Sequence, residues 1–398
     1  VTLVDKNNYH LFQPLLYQVA SAGLSPDEIA RPVRAIIENE GNADFHFGEV
    51  TSIDFTAKQV QTALGAVPYD YLVLAVGSDN NFFGMQDVAE NSLTLKSIPD
   101  ALSIRNQLLR QFELASLETD PAIRRRLLTF VIVGGGPTGI ESAGALSELF
   151  LNVLKKDYPR LDFSEVRIIL LEASDRLLSM MPVEQGEYAG KILRKHNVDV
   201  RCGAVVSDYD GETVTLKNGE TIETGALIWA AGVRANPMLD RLGLKQDRSG
   251  RVIVNSTLQV PDHPEIFVIG DAASFPGPDG KPLPMVAPVA IQQAKIVVDN
   301  IMKLVQGQPL NAFEYHDPGI LATIGRHHAV AYISGIKFRG YLAWLVWLVV
   351  HIMQLIGFRN RVVVLVDWAW QYIFYDRALR LIEQPLALKD LPKFIHKD

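Results

Sequence analysis

The chain has 398 residues, 48% hydrophobic and 21% charged, a globular composition long enough for two or three domains with separate cores. Its net charge of −7 argues against nucleic acid as the main partner. The single cysteine, Cys202, excludes a disulfide framework, a Cys-rich metal site and a C-x-x-C redox pair within this sequence, and reads as a small, half-buried strand residue.

The first element predicted is a strand over residues 1–4, VTLV, ending in Asp5. An acid at that place is where a nucleotide-binding βαβ unit holds a ribose. The glycine loop that should precede it would lie about thirty residues before Val1, so the chain reads as an N-terminally truncated fragment. The alternative is an ordinary strand. Residues 8–22 are apolar but punctuated by His10, Gln13, Pro14 and Gln18. Ser25-Pro26-Asp27-Glu28 then has the form of a helix start, with proline in the first turn and acids near the positive end of the dipole.

Residues 47–77 and 202–232 form an internal repeat: Gly48, Val50 and Gly77 recur as Gly203, Val205 and Gly232. Each copy predicts a strand, a β-hairpin turning at Gly65 or Asn218-Gly219, and a buried strand ending in Ala-x-Gly. Between the copies, residues 99–118 predict a charged amphipathic helix. Residues 130–148, FVIVGGGPTGIESAGALSE, then carry the strongest motif. An apolar strand runs into Gly134, Gly136 and Gly139 in G-x-G-x-x-G spacing, and a helix follows. The glycines provide a tight turn, close approach to a pyrophosphate and close helix–sheet contact, and the helix start offers free N–H groups to phosphate. A second strand, 166–171, ends in Glu172, an acid suited to a ribose 2′-OH and hostile to a 2′-phosphate. This favours NAD(H) over NADP(H), although Arg176 nearby softens the preference. Residues 180–183 read as a turn before a helix starting near Glu184.

Beyond Gly250, residues 255–260 predict a strand, and 266–271, IFVIGD, a buried strand closing on Gly-Asp. Asp271 is placed either to bind sugar or ribityl hydroxyls or simply to form a turn. A Gly/Pro-rich loop and a helix over 289–304 follow. Residues 326–398 carry ten Lys/Arg against five Asp/Glu, whereas the rest carries 28 against 40, and four of the five tryptophans lie in this basic portion. Residues 340–358 are long and apolar enough to permit a transmembrane helix. Yet Trp344, Trp347, His351, Gln354 and Phe358 share one helical face, Arg359-Asn360-Arg361 reads as a charged break, and a second helix is predicted over 362–382. Interfacial insertion at a membrane surface fits best; a spanning helix and a dimer interface are the alternatives.

Two nucleotide units, the second inserted in the first, suggest hydride transfer between a nicotinamide and a flavin. With no cysteine pair to carry electrons onward, the apolar tail points to a lipid-soluble quinone. Here the chain resembles the type II NADH dehydrogenases, the single-subunit NADH:quinone oxidoreductases of respiratory membranes. The resemblance rests on YHLFQPLLYQVASAGLS from Tyr9, VIVGGGPTGIESAGAL from Val131, IWAAGVRANP from Ile228, VIGDAA from Val268, ATIGRHHAVA from Ala322 and FRNRVVVLVDWAWQYIFYDR from Phe358. The glycine loop and Gly-Asp motif are shared by many flavoproteins; the C-terminal stretch is far more specific.

The resemblance implies an α/β fold of two Rossmann-like domains and a C-terminal membrane-associating helical region. The FAD domain would take 1–97 and 251–325, the NADH domain 98–250, and the membrane-anchoring region 326–398. It implies FAD held by Asp5, Lys6, Val50, Ala75, Gly77, Asp271 and Ala287. It implies NADH on Gly134, Gly136, Pro137, Thr138, Gly139 and Glu172, with Ala231 and Gly232 also at the cofactors. Glu141 would point to the nicotinamide and handle hydride or proton transfer; a dipole-complementing acid is the alternative. Many family members carry Ala-Gln-x-Ala where this chain has Ala287-Pro288-Val289-Ala290. Pro288 lacks the amide, which leaves Ala290, Gln292 and Gln293 as neighbouring quinone candidates; helix-surface glutamines are the other reading. No histidine spacing builds a metal site, and of His10, His327, His328 and His351 only His351 is a candidate for quinone protonation. The expected partners are NADH, a membrane quinone and the lipid surface, with homodimerisation through the C-terminal part implied by the family alone. The expected location is the cytoplasmic face of a bacterial inner membrane, or an organelle inner membrane in a eukaryote, and no proton pumping is expected. An NADPH-dependent enzyme with another acceptor and a non-catalytic membrane-binding flavoprotein remain as alternatives.

Overall fold

The computed structural model describes residues 1–383. Packing gathers them into two compact units. The outer unit comprises Val1–His10, Pro32–Asn81 and Gly232–Pro318, and the inner unit Leu11–Arg31, Phe82–Ala231 and the chain from Gly319 onward.

The inner unit is built on a five-stranded parallel sheet in the order Leu93–Thr94, Ala226–Trp229, Thr129–Val133, Arg167–Glu172, Val198–Cys202. The central strand Thr129–Val133 is buried throughout, and after Thr129 it is wholly apolar because both its faces are covered. Phe130 and Ile132 enter one core cluster, Val131 and Val133 another. Phe112 stacks on Phe130 beneath the sheet, with centroids 5.7 Å apart. Ser97 and Asp100 form a capping box that starts the helix Ile98–Leu117, close to the predicted 99–118.

The sequence repeat is a structural repeat. Val50–Asp54, Gln59–Thr62 and Gly65–Pro68 form an antiparallel sheet in the outer unit, and Val206–Tyr209, Thr213–Leu216 and Thr221–Glu223 form its counterpart in the inner one. Both carry a register shift at the start of the first strand, between Val50 and Ser52 and between Val206 and Asp208. The outer unit otherwise holds Thr2–Asp5 parallel to Asp44–Phe47, and Leu72–Leu74 parallel to His263–Val268. The long helix Ala287–Val305 packs Val289 and Val297 into the core of this unit.

Several expected boundaries move. Leu93–Thr94 falls on the FAD side of the functional division at 97/98, yet it is an edge strand of the inner sheet. Val233–Ala235 falls on the NADH side of the division at 250/251, yet it pairs with Ser78–Asn80 in the outer unit. The C-terminal region does not pack as a separate body: Ala322, Trp347, Leu355 and Val364 join the main core of the inner unit. Its last stretch, 384–398, lies outside the described residues. The predicted strand 255–260 is extended only at Gln259–Val260, because the Asn255 carboxamide accepts from the backbone N–H of Thr257 and Gln259 and closes a turn. The predicted strand 266–271 is His263–Val268, followed by a tight turn at Gly270, whose φ is +66°.

The tail follows a three-stranded antiparallel sheet, Ile320–Thr323, Ala329–Ile333 and Ile336–Gly340, with helices Tyr341–Gln354 and Phe358–Phe374. The second helix begins earlier than the predicted 362–382, and Arg359-Asn360-Arg361 is its first turn rather than a break. Asn360 is buried there, its amide donating to the carbonyls of Asp27, Glu28 and Ala30. The helix ends where Tyr375 turns left-handed. No helix of the described residues is long and apolar enough to cross a membrane. The aromatic face of the first helix turns inward, with Trp347 buried, while Leu342, Leu345, Val349 and Met353 form the exposed face. Phe358 starts the second helix, fully on the outside.

Candidate active site

In the inner unit, the turn between Val133 and Pro137 forms a cradle at the carboxyl end of the central strand. A Cβ on Gly134 would lie 2.7 Å from Ala230 O, and one on Gly139 would lie 1.8 Å from Gly134 O. Both positions therefore exclude any side chain. A Cβ on Gly136 would meet nothing within 4 Å, which marks the open side where a phosphate can approach the backbone. Pro137 opens the helix Pro137–Glu148 and Thr138 is exposed beside it, so the free amides of the first turn face outward.

Glu172 stands at the end of its strand as expected, but it is already engaged. It accepts from Gly135 N–H and from Ser174 N–H (2.7 Å) and hydroxyl. The carboxylate thus braces the loop, and its remaining lone-pair capacity is what a ribose hydroxyl would use. Arg176 is spent on carbonyls: it donates to Met181 O (2.8 Å) and Ser179 O (2.6 Å). With this guanidinium tied into the following turn, the acid at Glu172 dominates and the cradle favours NAD(H).

Glu141 lies in the second turn of the same helix and is 9% exposed. Its Oε1 accepts from Thr323 N–H (3.2 Å) and Trp347 Nε1–H (3.3 Å). Burial outweighs these two bonds and pushes its pKa up to about 8. Glu141 is the fifth residue of this helix, past the first turn that a dipole-complementing acid would occupy. Glu141 instead lines a cavity of about 300 Å³ within the inner unit. Tyr17, Trp344, Trp347 and Trp368 supply aromatic walls, and Glu148, Arg326 and Arg377 a polar end. Arg377 is buried and donates to Ser21 O (2.8 Å), Ala145 O (3.1 Å) and Glu148 Oε2 (3.3 Å). Sequence reasoning missed Tyr17, Glu148 and Arg377. The seven-residue spacing of Glu141 and Glu148, two turns on one helical face, was the available signal.

In the outer unit, Asp5 ends the strand Thr2–Asp5 and accepts from Asn7 N–H (2.7 Å), with Lys6 exposed beside it. Asp271 lies in the turn three residues past the strand His263–Val268 and accepts from the Ser78 hydroxyl (2.5 Å). Ala75 is exposed at the end of Leu72–Leu74, and Gly77 adopts φ +69° beside Ser78. Val50, half-buried, begins the antiparallel sheet, and Gly232 (φ +71°) precedes Val233–Ala235. Ala231 belongs to the inner unit, its N–H beside Gly134. Carboxylates at or just past the carboxyl ends of two parallel strands suit the hydroxyls of a dinucleotide, so these residues fit FAD.

Ala287 and Pro288 form the first turn of the helix Ala287–Val305, where proline costs no hydrogen bond. Ala290 packs against Gly270: a Cβ there would be 3.1 Å from its methyl. Gln293 is buried and accepts from Gly270 N–H (2.6 Å), while Gln292 clamps the backbone of His316 through both amide atoms (2.8 and 3.0 Å). Both glutamines are therefore engaged with backbone, Gln293 as a brace for the Gly-Asp turn.

His351 stacks on Trp347 (4.0 Å between centroids), and its Nδ1 lies 2.7 Å from Trp347 O. Burial drives its pKa down to about 4, so at neutral pH the ring is the uncharged imidazole. His328 meets the Tyr188 hydroxyl at 2.8 Å and His327 the Tyr372 hydroxyl at 2.9 Å. Among the described residues no group of three or more His, Cys, Asp or Glu could hold a metal ion. Cys202, expected half-buried, is exposed at the end of the edge strand Val198–Cys202.

The pyridine nucleotide-disulphide oxidoreductase profile matches residues 1–294, and the NDH2 C-terminal domain profile matches 318–376. The type II NADH:quinone oxidoreductase NdhA of Mycobacterium tuberculosis is 41% identical over 395 residues, spanning 95% of this chain and 83% of that protein. This chain belongs to the type II NADH:quinone oxidoreductases. A second such enzyme of the same organism, Ndh, is 38% identical over 95% of the chain and 84% of its own length. In fold, this type II oxidoreductase resembles NDH2 from Plasmodium falciparum, solved in complex with NADH (TM-score 0.89, 21% identity, 95% and 94% of the two chains). It also resembles a sulfide:quinone oxidoreductase from Aquifex aeolicus (TM-score 0.72, 19% identity, 90% and 85%).

Proposed function

We propose that this chain is a flavoprotein that oxidises NADH and reduces a membrane quinone without pumping protons. The observation that carries it is family membership along 95% of the chain, joined to an intact nicotinamide-nucleotide cradle at 134–139. FAD, when bound, supplies the centre that accepts a hydride and passes on an electron pair. We assign its binding to Asp5, Lys6, Val50, Ala75, Gly77, Asp271 and Ala287. Gly134, Gly136, Pro137, Thr138, Gly139 and Glu172 bind NADH, and Ala231 and Gly232 are also assigned to cofactor binding. Glu141, neutral at pH 7, holds a transferable proton in the same helix that carries the NADH cradle. The single cysteine excludes a dithiol relay within this sequence, so the electrons leave to an external acceptor. Pro288 and Ala290 remain candidates for the quinone side, with Gln292 and Gln293 acting through the backbone they hold.

The exposed rows Leu342–Leu345–Val349–Met353 and Val362–Val366–Trp370–Ile373 supply an apolar surface suited to a bilayer interface. We place this surface on the cytoplasmic face of a bacterial inner membrane, or an organelle inner membrane in a eukaryote, with a homodimer formed through the C-terminal part. Quinone-dependent NADH oxidation by the FAD-loaded, lipid-reconstituted protein tests the reading. A flavin that NADH bleaches but no quinone re-oxidises would sink it.

A further inference from the structure

Quinone reduction by NADH balances as NADH + H⁺ + Q → NAD⁺ + QH₂. The hydride brings two electrons and one proton, and the second proton must arrive from solvent at each turnover. This inference rests on the proposed quinone chemistry and asks how that proton enters.

Glu141 and Glu148 face the same cavity from one helix, separated by seven residues, or roughly 10 Å of rise. That gap is too long for direct transfer but suits a short chain of waters. The cavity volume of about 300 Å³ has room for several. Among aromatic and aliphatic walls, its polar lining residues are the Tyr17 hydroxyl, Gln18, Gln371, Arg326 and Arg377. Glu148 lies beside the two arginines. Its Oε1 accepts from Arg326 N–H and its Oε2 faces Arg377, which leaves lone pairs free for water. Its side chain is 19% exposed, so it also reaches solvent. A second cavity of about 10 Å³, one water in size, shares Glu148, Arg326, Gln371 and Arg377 with the first. Just past Glu148 the helix widens into a π-helical stretch, Leu149–Leu154, a deviation frequent at functional sites.

We propose that this cavity is the proton-uptake route of the enzyme, with Glu148 holding the outer end of a water chain and Glu141 receiving the proton at the inner end. The titratable and charged groups facing the route are Tyr17, Arg326 and Arg377, with His196 and His328 near Glu148 and His351 behind Trp347. The Tyr17 hydroxyl is pushed well up by burial and by Glu141, so it stays protonated and relays by hydrogen bonding alone.

Two variants of the full-length, FAD-loaded protein test this. Ala145→Leu puts a larger apolar side chain midway between the acids without altering either of them. Glu148→Gln removes the charge at the outer end. The main readout needs no turnover: the infrared band of the protonated Glu141 carboxyl, assigned by its loss in Glu141→Gln, shifts on transfer to D₂O at the rate the cavity delivers deuterons. Ala145→Leu should slow that shift and quinone-dependent turnover by about tenfold, with a larger solvent isotope effect. Glu148→Gln should give a smaller slowing of both, most marked at high pH. Exchange at the parental rate in both variants overturns the route. Slowed turnover with a parental isotope effect does the same, since it reports a structural defect. A parent protein that NADH cannot couple to quinone at all would instead overturn the functional reading.

Discussion

The inner and outer units share one sequence repeat and differ in how the acids near the ends of their parallel strands are engaged. Both carry the same three-stranded antiparallel excursion, down to a register shift at the same place. The inner unit surrounds its central strand with parallel neighbours on both sides and presents a glycine turn and helix start. In the outer unit the corresponding pairs, Thr2–Asp5 with Asp44–Phe47 and Leu72–Leu74 with His263–Val268, belong to separate sheets, with no strand between them among the described residues. Among the described residues, Glu172 of the inner unit braces the glycine turn through Gly135 N–H, whereas Asp5 and Asp271 of the outer unit accept from Asn7 N–H and the Ser78 hydroxyl. The repeat therefore sets a common scaffold, and the partners of these acids differ from one unit to the other.

The hardest blow to this contrast falls on the inner cradle. Gly139→Ala would place a methyl carbon on top of Gly134 O. It should abolish NADH oxidation, or reduce it by at least about a hundredfold, through a displaced loop. Gly136→Ala is the sharpening partner, because its Cβ meets nothing. It should fold with an unchanged melting temperature yet raise the KM for NADH about tenfold, by obstructing the phosphate side. If both variants bind NADH as the parent does, backbone recognition at this loop is wrong.

Next in size is the outer unit's carboxylate. Asp271→Ala removes the acceptor of the Ser78 hydroxyl and the acid just past the strand end. Flavin retained after gel filtration should fall several-fold, while NADH affinity measured by fluorescence quenching stays near the parent's. An unchanged flavin-to-protein ratio would return Asp271 to a simple turn-forming role.

Much of this was legible before the structure. The glycine spacing, the strand-end acids and the hairpin repeat are local patterns with fixed geometry, and they fell where expected. The roles of Glu172, Gln292 and Gln293 were less legible. Each is a long polar side chain, and only the fold shows that a neighbouring backbone amide consumes part of its capacity. Tyr17, Glu148, Trp347 and Arg377 meet around one cavity from distant parts of the chain, which no spacing rule brings together. The tail showed the converse failure. Trp344, Trp347 and His351 do share one helix, but Phe358 opens the next one, and periodicity identifies a face without saying which way it turns: Trp347 turns inward.

Donor choice gives a smaller effect, confined to the inner unit. Arg176→Ala should leave the NADH:NADPH rate ratio within about twofold, because the guanidinium is committed to Ser179 and Met181 carbonyls. Glu172→Gln should narrow the ratio by about tenfold, by removing the repulsion against a 2′-phosphate while keeping a hydrogen-bonding amide beside Gly135. An Arg176 variant that lost NADPH oxidation selectively would show that this arginine does reach the nucleotide.

The smallest expected effect concerns stability and falls on the buried acid of the inner unit, Glu141. Burial raises the Glu141 pKa from 4.5 to about 8. The folded protein therefore binds more protons than the unfolded chain between these values, so stability falls as pH rises from about 4.5 through about 8. His351 acts in the opposite direction. Its pKa is lowered from 6.5 to about 4, so stability is lost as pH falls through that interval. Glu141→Gln keeps an acceptor for Thr323 and Trp347 but cannot ionise. Its melting temperature should approach and then exceed the parent's as pH moves from 6 to 9, by an amount corresponding to roughly 2 kcal/mol. Parallel pH curves for parent and Glu141→Gln would mean that Glu141 is ionised in the folded state, and the proton held beside the NADH cradle would have to reside elsewhere.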